Sequence, residues 1–520
     1  MLFNSYPFLL VFFPASLALY FLAIRFSERA GIAAILLISL IFYAFWDVRF
    51  LLLLGGSILG NYGVGAVLSR AMARGQTRRA SAFLAFGVAL NLIVLGVFKY
   101  AHFAADNINA LLQTNFVLGQ IILPLGISFF TFEQIGYLTD IRRGSKYNAD
   151  LLSYSVFVSF FPRLVAGPIL RYGEIRPQLA AGKRSTAIAE DIAVGLTIFL
   201  AGLAKKVVLA DGVAPFVPPL FNSAAAGGSP DLFMAWSGAL AYTCQLYFDF
   251  SGYSDMAIGA ARCFGIRFPQ NFNSPYKSAS IVEFWRRWHM TLSRFLRDYL
   301  YIALGGNRLG PVRRYINLMI TMLLGGLWHG ANWTFIVWGG LHGLYLIVNH
   351  VFRMLRERNR GIDILMGSRL GRVLSVAVTF LAVVVAWVLF RAPNFTAAAT
   401  ILAGMAGMNG AALPSGLEFA FKPLQPLLDL LGIAYGDESG THFLQVWGWV
   451  TALLVVCFAM PNTQGILGRY EPALGFSPAR AGFSGFQWAP NLGWAAGLAG
   501  IGFLAIISIT RVSEFLYWQF

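Results

Sequence analysis

Apolar stretches long enough to cross a lipid bilayer recur along the whole chain, and nothing else constrains its fold as strongly. They begin near residues 7, 30, 50, 81 and 115, and again near 188, 232, 315, 333, 373, 444 and 490; each approaches the ~20 residues that a transmembrane helix needs. Inside hydrocarbon a backbone must satisfy its own hydrogen bonds, so runs of this length specify helices. The chain has 520 residues, of which 58% are hydrophobic and only 12% charged, against roughly 25% charged in soluble domains. The expectation is an all-α, polytopic membrane protein with about 11–12 transmembrane helices plus re-entrant and interfacial helices. No long polar stretch divides it, so residues 1–520 read as a single membrane-embedded domain, with a motif-rich core at about 160–345.

The formal charge is +16. The basic residues cluster between apolar runs, as the positive-inside rule requires, so the excess implies no nucleic-acid partner. Arg25/Arg29, Arg70/Arg74/Arg78/Arg79, Arg142/Arg143/Lys146, the 262–314 stretch, Arg353–Arg372 and Arg469/Arg480 all fall on one side, the cytoplasm, provided that segment 151–170 does not cross. That segment carries Pro162, Arg163, Gly167 and Pro168, which fits a re-entrant or broken helix; a Pro-kinked span is the alternative. Segment 211–231 has no Lys or Arg and is expected outside. The N-terminus lacks the basic region of a secretory signal and reads as a retained first span with its end in the periplasm. Cys244, Cys263 and Cys457 form no CxxC pair and read as small core residues.

Three stretches interrupt the apolar pattern. QLYFDFSGYSDMAIG, 245–259, places Asp249 and Asp255 in an apolar setting, where a carboxylate is either functional or paired with a nearby arginine. In SIVEFWRRWHMTLSRFLRDYLYIALGGNR, 280–308, a 100° spacing puts Phe284, Trp288, Leu292, Phe295, Leu296 and Tyr299 on one face and Arg286, Arg287, Arg294 and Arg297 on the other. This predicts an amphipathic helix at the cytoplasmic interface with His289 at the edge of its apolar stripe, followed by a turn at Gly305–Arg308. Its arginines either anchor the helix to anionic lipid or also meet a phosphorylated ligand such as coenzyme A.

The third stretch, LLGGLWHGANWTF, 323–335, sets His329 beside Trp328 with glycines on both sides and Asn332 close by. A lone intramembrane histidine can be a mere hydrogen-bond partner between helices, but an ionisable residue at such depth, among tunnel-walling indoles and other polar groups, is a functional hypothesis. No HExxH, Walker loop, GxSxG or strand-borne GxGxxG is present, so zinc proteolysis, nucleotide hydrolysis and serine-esterase chemistry lack their signatures. No metal site is expected: His342 and His350, eight residues apart, read as interface residues.

These three motifs, with VAGPILRY at 165–172, resemble the membrane-bound O-acyltransferases, and within them the alginate O-acetylating type. The resemblance covers roughly 160–340, and nothing diagnostic follows residue 390. It implies membrane helices around a tunnel, a catalytic histidine at its centre, a cytoplasmic donor and a periplasmic acceptor. By position the family's catalytic histidine falls on His329 and the second motif histidine on His289. From the residues themselves, Trp328, Asn332, Asp249 and Asp255 are expected to support the site and Arg286, Arg287, Arg294 and Arg297 to face the donor. The implied activity is acetyl transfer in the bacterial inner membrane. The expected donor is acetyl-CoA, with no bound cofactor, and the expected acceptor an exopolysaccharide such as alginate or a periplasmic acetylation protein. A D-alanyl transferase acting on teichoic acid is the alternative within the family. A polysaccharide or lipid transporter is the alternative outside it, although no inverted repeat is visible.

Overall fold

Leu232–Cys263, a helix of 32 residues, is buried at every position from Ser237 onward. A helix in that situation must be the centre of its bundle, and this one runs about 48 Å at 1.5 Å per residue. Asp231 starts it by accepting a hydrogen bond from the Met234 amide at 2.9 Å. Its principal neighbour is Ile188–Ala204, and glycines let the two backbones touch. A Cβ on Gly202 would stand 2.6 Å from the Gly252 carbonyl oxygen, and one on Gly259 2.5 Å from that of Gly195. Small residues at a crossing are the usual means of close helix packing where lipid supplies no hydrophobic drive.

The computed structural model describes residues 1–147, 150–180, 188–436, 439–476, 486–509 and 516, so Arg480 lies outside the described residues. Apart from one parallel strand pair, Ala411–Pro414 with Ile433–Gly436, the described elements are helical. Seven helices among the described residues are long and apolar enough to cross a membrane, the longest being Thr77–Leu112 and Ile188–Ala225. The other segments counted as crossings in the sequence are short, such as Ile127–Arg142 with 16 residues and Leu492–Ser508 with 17. Or they carry the polar core, as Leu232–Cys263 and Gly310–His329 do.

Two segments test the hydropathy reading. The run beginning near 115 is not helical: residues 114–124 have no regular structure and are largely exposed, and the helix starts only at Ile127. Asn109 is the local cause, because its side chain accepts from the Phe116 amide at 2.9 Å and donates to the Phe116 carbonyl at 2.8 Å. It thereby takes both backbone groups that a helix would use. Segment 151–170, by contrast, is broken as expected. The helix Leu151–Ser159 stops at Phe160, a single turn Phe161–Leu164 follows, and after a turn at 165–166 the chain has no regular structure until the helix Tyr172–Ala180. Nine residues span only about 14 Å, less than half of a bilayer core. Arg163 is buried in an ion pair with Glu133 and also donates to the Phe157 carbonyl, while the other Glu133 oxygen accepts the Leu170 amide at 2.9 Å.

Candidate active site

Gly310–His329 and Trp333–Arg358 form a helical hairpin whose turn is Gly330–Asn332. The helices touch at Gly326 and Gly339, where an added Cβ would lie 2.2 Å from the Phe335 and Met322 carbonyl oxygens respectively. Asn332 closes the turn: its side-chain oxygen accepts the Thr334 amide at 3.0 Å and its NH2 donates to the Pro393 carbonyl at 3.3 Å. Asn332 therefore shapes the hairpin.

His329 is the last residue of the first helix and is 5% exposed. Rings wall it: Trp328 at 4.9 Å, Trp338 at 5.1 Å and Phe390 at 5.2 Å between centroids. Trp328 in turn stacks on Phe132 at 5.4 Å and lies 6.0 Å from the ring of His289. Beyond Trp338, at 4.9 Å, comes His342, which is fully buried and not an interface residue.

His289 lies in no continuous amphipathic helix. The segment breaks into Ile281–Trp285, Met290–Phe295 and a π-helical turn Leu296–Tyr301, and His289 occupies the first break with φ +42°. A left-handed histidine is a strained conformation of a kind that clusters at functional sites. Its ring is fully buried, edge-on to Phe250 at 4.7 Å. Asn271 holds it there: its side-chain oxygen lies 3.2 Å from His289 Nδ1 and also accepts the Thr291 hydroxyl at 2.9 Å, while its own carbonyl accepts the Met290 amide at 2.9 Å. That oxygen can only accept, so Nδ1 carries the hydrogen and, in the neutral ring, Nε2 the lone pair. Thr291 also accepts the Ile169 amide at 3.0 Å, which ties the VAGPILRY segment to the same loop. Next to this loop a small pocket is lined by Phe132, Glu133, Thr291, Phe295, Arg171 and Arg294.

The family model for membrane-bound O-acyltransferases matches residues 142–366, a stretch that contains both histidines. A probable alginate O-acetylase of Pseudomonas aeruginosa is 46% identical over 76% of this chain and 73% of its own length. A peptidoglycan O-acetyltransferase of Helicobacter pylori is 41% identical over 100% of this chain and 98% of its own. This chain belongs to the membrane-bound O-acyltransferase family. A teichoic acid D-alanyltransferase of Streptococcus thermophilus is more distant, 28% identical over 51% of the chain. The protein is thus an O-acyltransferase and a multi-pass membrane protein.

Elsewhere in the acyltransferase the sequence-predicted residues have specific partners. Asp249 and Asp211 both meet Lys206 at 2.7 Å. Asp255 meets Lys205 at 2.6 Å, Thr463 at 2.7 Å and Gln464 at 2.6 Å. The two aspartates pair with lysines, not arginines, and brace the central helix. Of the four arginines, Arg287 meets Glu283 at 2.6 Å and Arg294 grips both Glu174 oxygens at 2.5 and 3.0 Å. Arg297 meets Asp298 at 2.6 Å, and Arg286 is exposed. Burial works against the charge of Asp298, but hydrogen bonds from Arg297 and Arg171 leave its carboxyl below the ordinary range. The structure places Arg294 in the lining of the pocket together with Arg171, which the sequence did not single out; Arg286, Arg287 and Arg297 do not line it.

Also unforeseen are Asn271, Phe390 and the pair Lys99–Tyr100, whose side chains reach the carbonyls of Leu327, Trp328 and His329. Lys99 did leave a signal, a single charge in the middle of an apolar run.

Proposed function

We propose that this protein transfers acetyl from cytoplasmic acetyl-CoA to a carbohydrate hydroxyl outside the membrane, either on an exported polysaccharide or by way of a periplasmic acetylation protein, in the bacterial inner membrane. The observation that carries this reading is the buried, ring-walled His329 at the tip of a hairpin, one indole away from His289, whose loop borders a pocket lined by Arg171 and Arg294. The hairpin's other ends carry Arg313/Arg314 and Arg356/Arg358, so the positive-inside rule puts the tip about 30 Å from the cytoplasmic end. Donor and acceptor can meet there from opposite sides.

His329 acts as general base. The acceptor oxygen attacks the thioester carbonyl as its proton passes to the imidazole; the C–S bond then breaks and the imidazolium returns the proton to the leaving thiolate. An acetyl ester and free coenzyme A result, and the base is regenerated. A positioned base of this kind contributes typically 10²–10⁴-fold. His289, oriented by Asn271, supports the donor end of the same site. The planar guanidinium groups of Arg171 and Arg294 in the pocket lining suit the donor's phosphates. The names of the relatives that cover most of the chain favour acetyl over D-alanyl and put alginate-like and peptidoglycan-like carbohydrate in the same acceptor class. Mass spectrometry of secreted polymer and of muropeptides from a deletion strain decides between them. Loss of O-acetyl from one fraction is expected, and unchanged acetylation of both would reject the reading.

A further inference from the structure

Between residues 80 and 101 the apolar run Thr77–Leu112 carries one charge, Lys99. A charged group at such depth is expensive and needs a defined partner. Lys99 has three. Its Nζ donates to the Trp328 carbonyl at 2.5 Å, lies 3.4 Å from the His329 carbonyl, and stands 5.7 Å from the centroid of the Trp328 ring. The adjacent Tyr100 donates its hydroxyl to the Leu327 carbonyl at 3.0 Å. Neighbours in a regular helix diverge by 100° and do not serve one target. Here the run makes a π-helical turn over Gly96–Tyr100, a device common at functional sites, and both side chains reach the same helix end.

That end needs them. The last carbonyls of any helix lack intrahelical donors, and Gly330 leaves the helix extended, at φ −166° and ψ 152°, so no glycine-type cap forms. Because Trp328 and His329 are buried, donors for these carbonyls come from side chains. The carbonyls are also the negative pole of the helix, worth roughly half an elementary charge. A thioester attacked beside His329 develops negative charge on its own oxygen, which that pole would oppose and a fixed cation would relieve.

Resting on the reading of His329 as the base, we propose that Lys99 is a positioning residue for acyl transfer. It fixes the final peptide of the histidine-bearing helix and cancels the negative pole of that helix where the transition state forms, with Tyr100 as its auxiliary. The effect belongs to the chemical step, not to donor binding. Small displacements of a catalytic group can change rates by ~10²-fold.

The test is kinetic, on purified protein in lipid discs with acetyl-CoA as donor. Lys99→Met keeps the stem but loses the donors and the charge; kcat should fall about 10- to 100-fold while KM for acetyl-CoA changes less than about threefold. Lys99→Arg, which keeps the cation, should recover most of the rate. Tyr100→Phe should lower kcat a few-fold at unchanged KM. Lys99→Met with wild-type kcat, or with a raised KM alone, overturns the proposal. If that variant does not accumulate, Tyr100→Phe decides, and an unaltered kcat overturns it. His329→Ala run in parallel separates the two claims: an active His329→Ala removes the underlying reading, whereas an inactive one beside a fully active Lys99→Met removes only this inference.

Discussion

Asn271 meets the ring of His289 with its side-chain oxygen and the following Met290 amide with its main-chain carbonyl, so the strained φ of that histidine is braced by one residue. Removing it leaves buried donors on His289 and Thr291 without their acceptor, at a penalty of about 1–3 kcal/mol. Asn271→Ala should lower acetyl transfer by roughly 10-fold or more on that basis, and because it acts through His289 the double variant with His289→Ala should be no worse than His289→Ala alone. Additive losses in transfer assays would show that Asn271 acts elsewhere. Arg294 poses a different question, since its grip on Glu174 could serve the fold, the donor or both. If it meets the donor's phosphate, Arg294→Ala with Arg297→Ala should raise KM for acetyl-CoA by about tenfold, the scale of one charge-assisted contact. Glu174→Gln should leave that KM nearly unchanged. Matching effects of both changes in a donor titration would reduce Arg294 to a clamp on the VAGPILRY segment. Residues of this kind divide by legibility. His329, His289 and Trp328 stand in motifs and were readable, whereas Asn271 lies 18 residues from His289 and Lys99 lies 230 from His329, with no local pattern linking them.

The histidine-bearing hairpin depends on Gly326 and Gly339 at a contact that leaves no space for a side chain. Gly326→Ala should destabilise the protein by about 1–3 kcal/mol, as overpacking does, and should displace His329, which is only three residues further on. Gly448→Ala, in the helix Gly440–Ala459 and with nothing within 4 Å of the added Cβ, should do neither. Thermal unfolding in detergent with parallel transfer assays checks this, and equal midpoints for the two variants would deny the hairpin its close contact. Elements differ in how clearly the sequence announces them. Long apolar helices are written in hydropathy alone, and the breaks at Pro162 and Pro168 were signalled by proline. The 280–301 segment was not: a helical wheel assumes one continuous helix and cannot register a left-handed residue at His289. Residues 114–124 misled for a similar reason, being apolar enough for a helix while Asn109 captures the backbone that would form it.

For the molecule as a whole, the +16 charge and its distribution between spans fix the expected orientation. In a background lacking Cys244, Cys263 and Cys457, an impermeant thiol reagent applied from outside should label a cysteine placed in 215–228 and spare one placed in 302–309. The reverse pattern would invert the topology. The all-α, multi-pass architecture could be inferred from composition and motif order, but the surroundings of the two histidines could not. Lys99, Phe132, His289 and His329 meet through the single ring of Trp328, and Phe390 packs on His329, contacts between distant segments that leave no periodic trace. The central claim is that His329 in this setting moves acetyl from coenzyme A to a hydroxyl. Purified wild-type protein and His329→Ala, matched for folding by thermal midpoint, should be given acetyl-CoA with a ¹³C-labelled acetyl group and a soluble carbohydrate acceptor, and both released coenzyme A and labelled ester measured. The wild type should produce the two in equal amounts and His329→Ala neither. Near-normal ester formation by His329→Ala, or none by the wild type, would contradict the account.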